Sequence, residues 1–166
     1  MFELKLLSPQ SLERALEKVE RYRLLNEPWQ AESICRDVLA VEPGNQRAVV
    51  ALLLAITDQF RTEGTGRAGE ATAVLEQITD EYARAYYAGI ICERRATAQL
   101  ARHVPGGGEI AYDWLRRAME WYEKAERVHP AGNEDALLRW NTCVRVIQRH
   151  PDVRPAESAL TPLPLE

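Results

Sequence analysis

The chain has 166 residues, a formal charge of −4 and 18 arginines against three lysines. Its length suits one ordinary domain that buries roughly 70% of its unfolded surface. The negative balance gives no general attraction to nucleic acid or anionic lipid, so neither is expected as a partner.

Met1–Leu7 (MFELKLL) has no basic start, long apolar run or small-residue cleavage site, so it does not read as a signal peptide. Its alternation of Phe2, Leu4 and Leu6 is the one brief strand-like pattern. Ser8-Pro9 then opens a first helix, a hydroxyl cap before a proline whose φ is already helical. Leu12, Ala15, Leu16, Val19 and Tyr22 follow on one face. Asn26 is expected to cap the second helix, which runs through Trp29, Ala31, Ile34, Cys35, Val38 and Leu39 to a Pro43-Gly44 stop. Asn45 opens a third, apolar nearly all round (Val49, Leu52, Leu53, Ile56, Phe60), which places it centrally. Within it, Ala48–Ile56 is the longest apolar run, far short of the ~20 residues a membrane span needs. A soluble, cytoplasmic protein without membrane insertion is expected.

A fourth helix is predicted over 67–79, a fifth over 82–103 and a sixth over 109–129. The last two are each on the order of 30 Å long, and Val104-Pro105-Gly106-Gly107-Gly108 joins them as a plain connector. A seventh helix over 134–149 carries Ala136, Leu137, Trp140, Cys143, Val144 and Ile147 on one stripe. From Pro151 onward four prolines forbid a continuous helix. The organisation expected is therefore a helical domain, 1–150, and a proline-rich tail, 151–166.

One pattern cuts across these elements. Ala31, Cys35, Val38 and Pro43 recur as Ala118, Tyr122, Ala125 and Pro130, with a weaker copy at Ala71, Leu75, Ile78 and Ala83. The small residues mark where one helix backbone approaches another, and the proline ends the hydrogen-bond ladder. The pattern resembles the second helix of the tetratricopeptide repeat. Ala88-Gly89 matches the small site of that family's first helix, and Tyr22 its late aromatic, whereas Val19 and Leu53 stand where glycine is usual. The resemblance covers about Leu12 to Arg149. It implies an all-α solenoid of antiparallel helix pairs: seven helices, three repeats and a capping helix, with the third repeat lengthened.

Other motifs point to structure rather than chemistry. Gly64, Gly66 and Gly69 spell G-x-G-x-x-G, but a helix precedes them where a dinucleotide site needs a strand. Cys35, Cys92 and Cys143 are odd in number and lie on apolar faces, as reduced buried thiols do. His103, His129 and His150 sit at helix ends, where an imidazolium meets the negative end of the dipole. Trp114, Ala118, Trp121 and Ala125 form a packing stripe. Arg94, Arg95, Arg102, Arg116 and Arg117 on the long hairpin are interleaved with Glu93, Glu109, Asp113 and Glu120, which reads as a solvated mixed-charge surface. No zinc-ligand spacing or nucleophile elbow occurs, and no catalytic residue, metal or cofactor is expected.

By resemblance, the inner face of the solenoid is lined by the first helix of each repeat. The matching positions are Leu16 and Glu20, Val50 and Leu54, Tyr86 and Ile90, and Leu137 and Asn141. They read as an apolar groove suited to an amphipathic helix of a partner protein. The expected function is a non-catalytic adaptor or chaperone-like module that binds a protein segment. The alternatives are a homodimer or other homo-oligomer using the groove or the long hairpin as its own interface, and an all-α enzyme. The leucines of the tail, Leu160, Leu163 and Leu165, are a further candidate cover for the groove.

Overall fold

Prolines and short polar caps set where the helices begin. The computed structural model describes residues 2–156. Helix α1 (Leu12–Leu24) follows a 3-10 turn at Pro9–Ser11, and α2 (Pro28–Val41) starts on a proline. Asn26 does not cap α2: it takes the left-handed conformation at φ 59° and turns the chain, leaving Glu27 at the cap position. Asn45 does cap α3 (Gln46–Asp58), its side chain accepting from the Ala48 N–H at 2.9 Å.

Helix α3 then bends. The Gln59 N–H reaches back only to Ile56, so the Ala55 carbonyl loses its ladder partner and accepts instead from the Gln59 side chain at 2.9 Å. Thr57 donates its hydroxyl to Leu53 at 2.9 Å, a local bond of the kind that bends helices. One further turn, Phe60–Glu63, continues beyond the bend. The glycine motif falls in the next turn, with helix on both sides and Gly64 at φ 82°.

Helix α4 (Ala68–Leu75) is shorter than its sequence pattern predicts. The residues after it turn away because Gln46 holds them, accepting from the Thr79 N–H at 2.9 Å and donating to the Gln77 carbonyl at 3.1 Å. Asp80 caps α5 (Glu81–Ala101), and α6 (Gly107–Glu126) and α7 (Asp135–Arg149) follow. Each helix packs on its sequence neighbour, so the seven helices among the described residues form an all-α solenoid of antiparallel pairs in which α5 and α6 make the lengthened third repeat. No strand occurs among the described residues.

The small-residue pattern sits where the sequence puts it. Ala31, Cys35 and Val38, and likewise Ala118, Tyr122 and Ala125, have no exposed surface. Two large core clusters result, beside a small one of Ala15, Leu16, Val38 and Ala48. One gathers α1 to α4 with Ile91 and Ala98 of α5; the other gathers α6, α7 and the opposite side of α5 through Ala85, Cys92 and Ala96. Helix α5 is thus a wall shared by both. It approaches α6 closely at Gly89, where a Cβ would lie 2.7 Å from Tyr122 Cδ1 and closer still to Cε1.

The end of the hairpin is more than a connector. Gly107 and Gly108 belong to the first turn of α6 and are buried. Gly108 lies against the backbone of Asp152, whose carbonyl carbon would be 2.6 Å from an added Cβ. Beside it Val153 enters the second core cluster at 3% exposure. Leu100 and Trp114 pack into the same cluster, but Val104 is exposed. Trp114 is half-buried beneath the Arg95 guanidinium, 3.6 Å from the ring centre.

A single carboxylate ties α2 to the next repeat. Glu32 accepts from Arg67 at 2.6 and 2.9 Å, from Arg36 at 2.7 Å and from Gln59 at 2.7 Å. Arg36 and Arg67 also share Glu70 of α4, at 2.5 and 2.7 Å. The hydrogen bond from Arg67, backed by those from Arg36 and Gln59, outweighs burial and holds the Glu32 carboxyl down to about 2. A group depressed in this way stabilises the fold above its unfolded pKa, and that contribution is lost as pH falls from about 4.5 towards 2.

Two expectations follow. Gly89→Ala should destabilise by about 1–3 kcal/mol in urea titrations despite alanine's better helix propensity, because the Tyr122 ring is locked in the core. Glu32→Gln should cost on the order of 2–3 kcal/mol at pH 7. The gap between variant and wild type should close when the same titrations are run near pH 2.

Candidate functional site

The first helices of the repeats bring three of the eight predicted groove residues together. Glu20 of α1 and Val50 and Leu54 of α3 line an open depression of about 350 Å³, with Val19 and Ala51 in its apolar lining and Arg23, Gln46 and Arg47 at its edge. Parallel placement of α1 and α3 beside α2 creates it, because α1 covers only part of the near-continuous apolar surface of α3. Val50, Ala51 and Leu54 are left half-exposed. Arg47 bridges the two helices at the rim, 2.7 Å from Glu13 and 3.8 Å from Glu20.

The remaining predicted residues do not line this depression. Leu16 is 3% exposed and packs in a small cluster with Ala15, Val38 and Ala48, while Ile90 is 2% exposed. Neither presents a surface. Tyr86 is half-buried in an aromatic group, its ring centre 5.8 Å from Tyr82, 5.1 Å from Tyr87 and 5.9 Å from Tyr122. Leu137 on α7 is exposed and Asn141 half-buried. The tail leucines Leu160, Leu163 and Leu165 lie outside the described residues.

A line of charges borders the apolar floor. Asp58 sits between two arginines, 2.7 Å from Arg23 of α1 and 2.7 Å from Arg94 of α5. Arg94 also donates to the Leu54 carbonyl at 2.9 Å and to the Thr57 hydroxyl. It is therefore no solvated hairpin residue, in contrast to its sequence reading. Burial pulls its pKa down, and the Asp58 carboxylate opposes that shift. The signal for this line was present in the spacing. Three residues beyond Glu20 is Arg23, four beyond Leu54 is Asp58, and four beyond Ile90 is Arg94. Each lies one helical turn further along its stripe, and the charges alternate in sign.

A second carboxylate, Glu93, is set more deeply. Tyr122 donates its hydroxyl to Glu93 at 2.6 Å, and Arg139 of α7 donates at 3.1 Å. Burial, then the Glu93 charge, raises the Tyr122 phenol well above its ordinary range. The arrangement stitches α5, α6 and α7 together and engages both the Glu93 carboxylate and the Tyr122 hydroxyl. All three cysteines are buried. Burial pushes the Cys35 and Cys143 thiols up to about 12, so both are held as inert thiols. No group of three or more potential metal ligands occurs among the described residues, and no described helix is long and apolar enough to cross a membrane.

No family model matches the chain, and no curated protein or solved structure is significantly similar to it.

Asp58→Ala should leave both arginine partners without their carboxylate and destabilise by about 2 kcal/mol, at the low end for broken ion pairs because the groups are partly solvated. Reversible thermal melts of Asp58→Ala, Arg23→Ala and the double variant check this. A shared ion pair makes the two losses less than additive.

Proposed function

We propose that the chain is a divergent tetratricopeptide-type protein that acts as a non-catalytic docking module for a segment of another protein. The observation that carries this reading is the half-exposed apolar strip Val50, Ala51 and Leu54, left open between α1 and α3 and bordered by Glu20, Arg23 and Arg47. An apolar floor with charges of both signs along its edge suits an amphipathic helix, which lays i, i+3, i+4 and i+7 anchors on the floor and polar side chains towards the rim. Stacked helix pairs supply a rigid support for such a surface, since each repeat is braced by its neighbours. The inert thiols and the structural use of Glu93 and Tyr122 support a binding role over catalysis.

A photo-crosslinking amino acid placed at Val50 tests the reading in cells of the native host. A discrete protein adduct is expected, and it should be lost when Leu54→Glu is added. Leu54 is partly exposed, so this variant should remain folded by circular dichroism. If a folded Leu54→Glu protein keeps every crosslinked partner, the depression is not the docking surface.

A further inference from the structure

A second opening lies away from the inner face and has different chemistry. Helix α4 is only 8 residues long, whereas α6 has 20. At ~1.5 Å per residue the short helix cannot flank the full length of the long one. Between the end of α4 at Leu75 and the C-terminal part of α6 lies a notch of about 360 Å³. Its floor is Ala85 and Ala88 of α5, whose small side chains give it depth, and its apolar walls are Leu75, Trp121 and Val128.

The rim is basic. Arg84, Lys124 and Arg127 line the notch against one carboxylate, Glu81, in a chain whose overall charge is −4. Arg84 is fixed there, donating to the Ile78 carbonyl at 2.8 and 2.6 Å. Lys124 rests over the Trp121 ring, 4.0 Å from its centre. Among the described residues neither Lys124 nor Arg127 is in an ion pair. This contrasts with Glu32, Asp58 and Glu93, whose arginines are all engaged. Unpaired cations around a small apolar floor complement an anion that carries one bulky apolar group.

We propose that this notch is a docking site for an acidic segment of a partner protein that inserts a single aromatic side chain between Leu75 and Trp121, its flanking carboxylates meeting Lys124 and Arg127. The alanine floor leaves room for one large ring, and Trp121, partly exposed in the wall, offers an edge contact. The site is separate from the depression between α1 and α3, so either can fail without the other.

The test is an NMR titration of the full chain, following the Trp121 indole N–H. The probe is an acetylated Asp-Glu-Phe-Glu-Asp peptide, with Lys-Arg-Phe-Arg-Lys as the counterpart. The acidic peptide should shift the Trp121 signal saturably and the basic one should not. Lys124→Glu with Arg127→Glu should weaken the acidic peptide about tenfold or more. Both residues are exposed, so this variant keeps its fold, while Leu54→Glu should leave the titration unchanged. The proposal is overturned by no saturable shift at millimolar acidic peptide, by equal affinity for the two peptides, or by binding that survives the double charge reversal. A Trp121 shift that follows protein concentration alone would assign the notch to a second copy of the chain and overturn it as well.

Discussion

A partly buried carboxylate needs several donors, and this solenoid meets that requirement at three of its joints. Glu32 joins the first repeat to the second through Arg67 and Gln59, Asp58 joins α1, α3 and α5 through Arg23 and Arg94, and Glu93 joins the third repeat to the capping helix through Tyr122 and Arg139. Apolar burial supplies most of the stability, yet it is non-directional and would tolerate a helix sliding along its neighbour. A carboxylate with several donors at fixed angles does not tolerate sliding. The abundance of arginine over lysine fits this use, because the planar guanidinium can bind two acceptors at once. Arg67 does so, spanning Glu32 and Glu70.

The same economy of contacts shapes the surfaces. A solenoid repeat touches only its neighbours, so wherever one helix is short or curved its partner keeps an uncovered stretch. The bend after Asp58 turns the chain towards α5 and ends the apolar run of α3, leaving its middle turns to form the floor of the inner depression. The early stop of α4 at Leu75 borders the notch beside α6. Gln59 and Gln46 fix the backbone at these two points, one inside the bend and one at the exit from α4.

The helices and their order were legible because the signals are local. Pro43 and Asn45 act on the turns beside them, and Ala31 and Ala118 are small because a neighbouring backbone presses on that face. What the sequence hid depends on partners far along the chain. The bend at Gln59 needs Glu32; the stop at Leu75 needs Gln46; and the burial of Arg94 needs Asp58. Asn26 could serve as a cap or as a left-handed turn residue, and only the path to Pro28 decides between them. Of the predicted groove, Glu20, Val50 and Leu54 were placed together, but Leu16 and Ile90 share their stripe and are covered, because these helices pack on two neighbours at once. Periodicity reports which face is apolar, and it does not report how much of that face remains open.

The contact between Gly108 and Asp152 has a consequence for how the molecule opens. It clasps the start of α6 to the residues that follow α7, and Val153 seals the joint inside the second core cluster. Everything from 107 to 153 is thereby closed into a loop whose ends meet. Amide protons in α6 and α7 should exchange with solvent as one cooperative block rather than fraying from the C-terminal end, the usual weak point of a linear array. The clasp makes α6 and α7 one unit fastened at both edges, and α5, which contributes to both clusters, is the wall between that unit and the first two repeats.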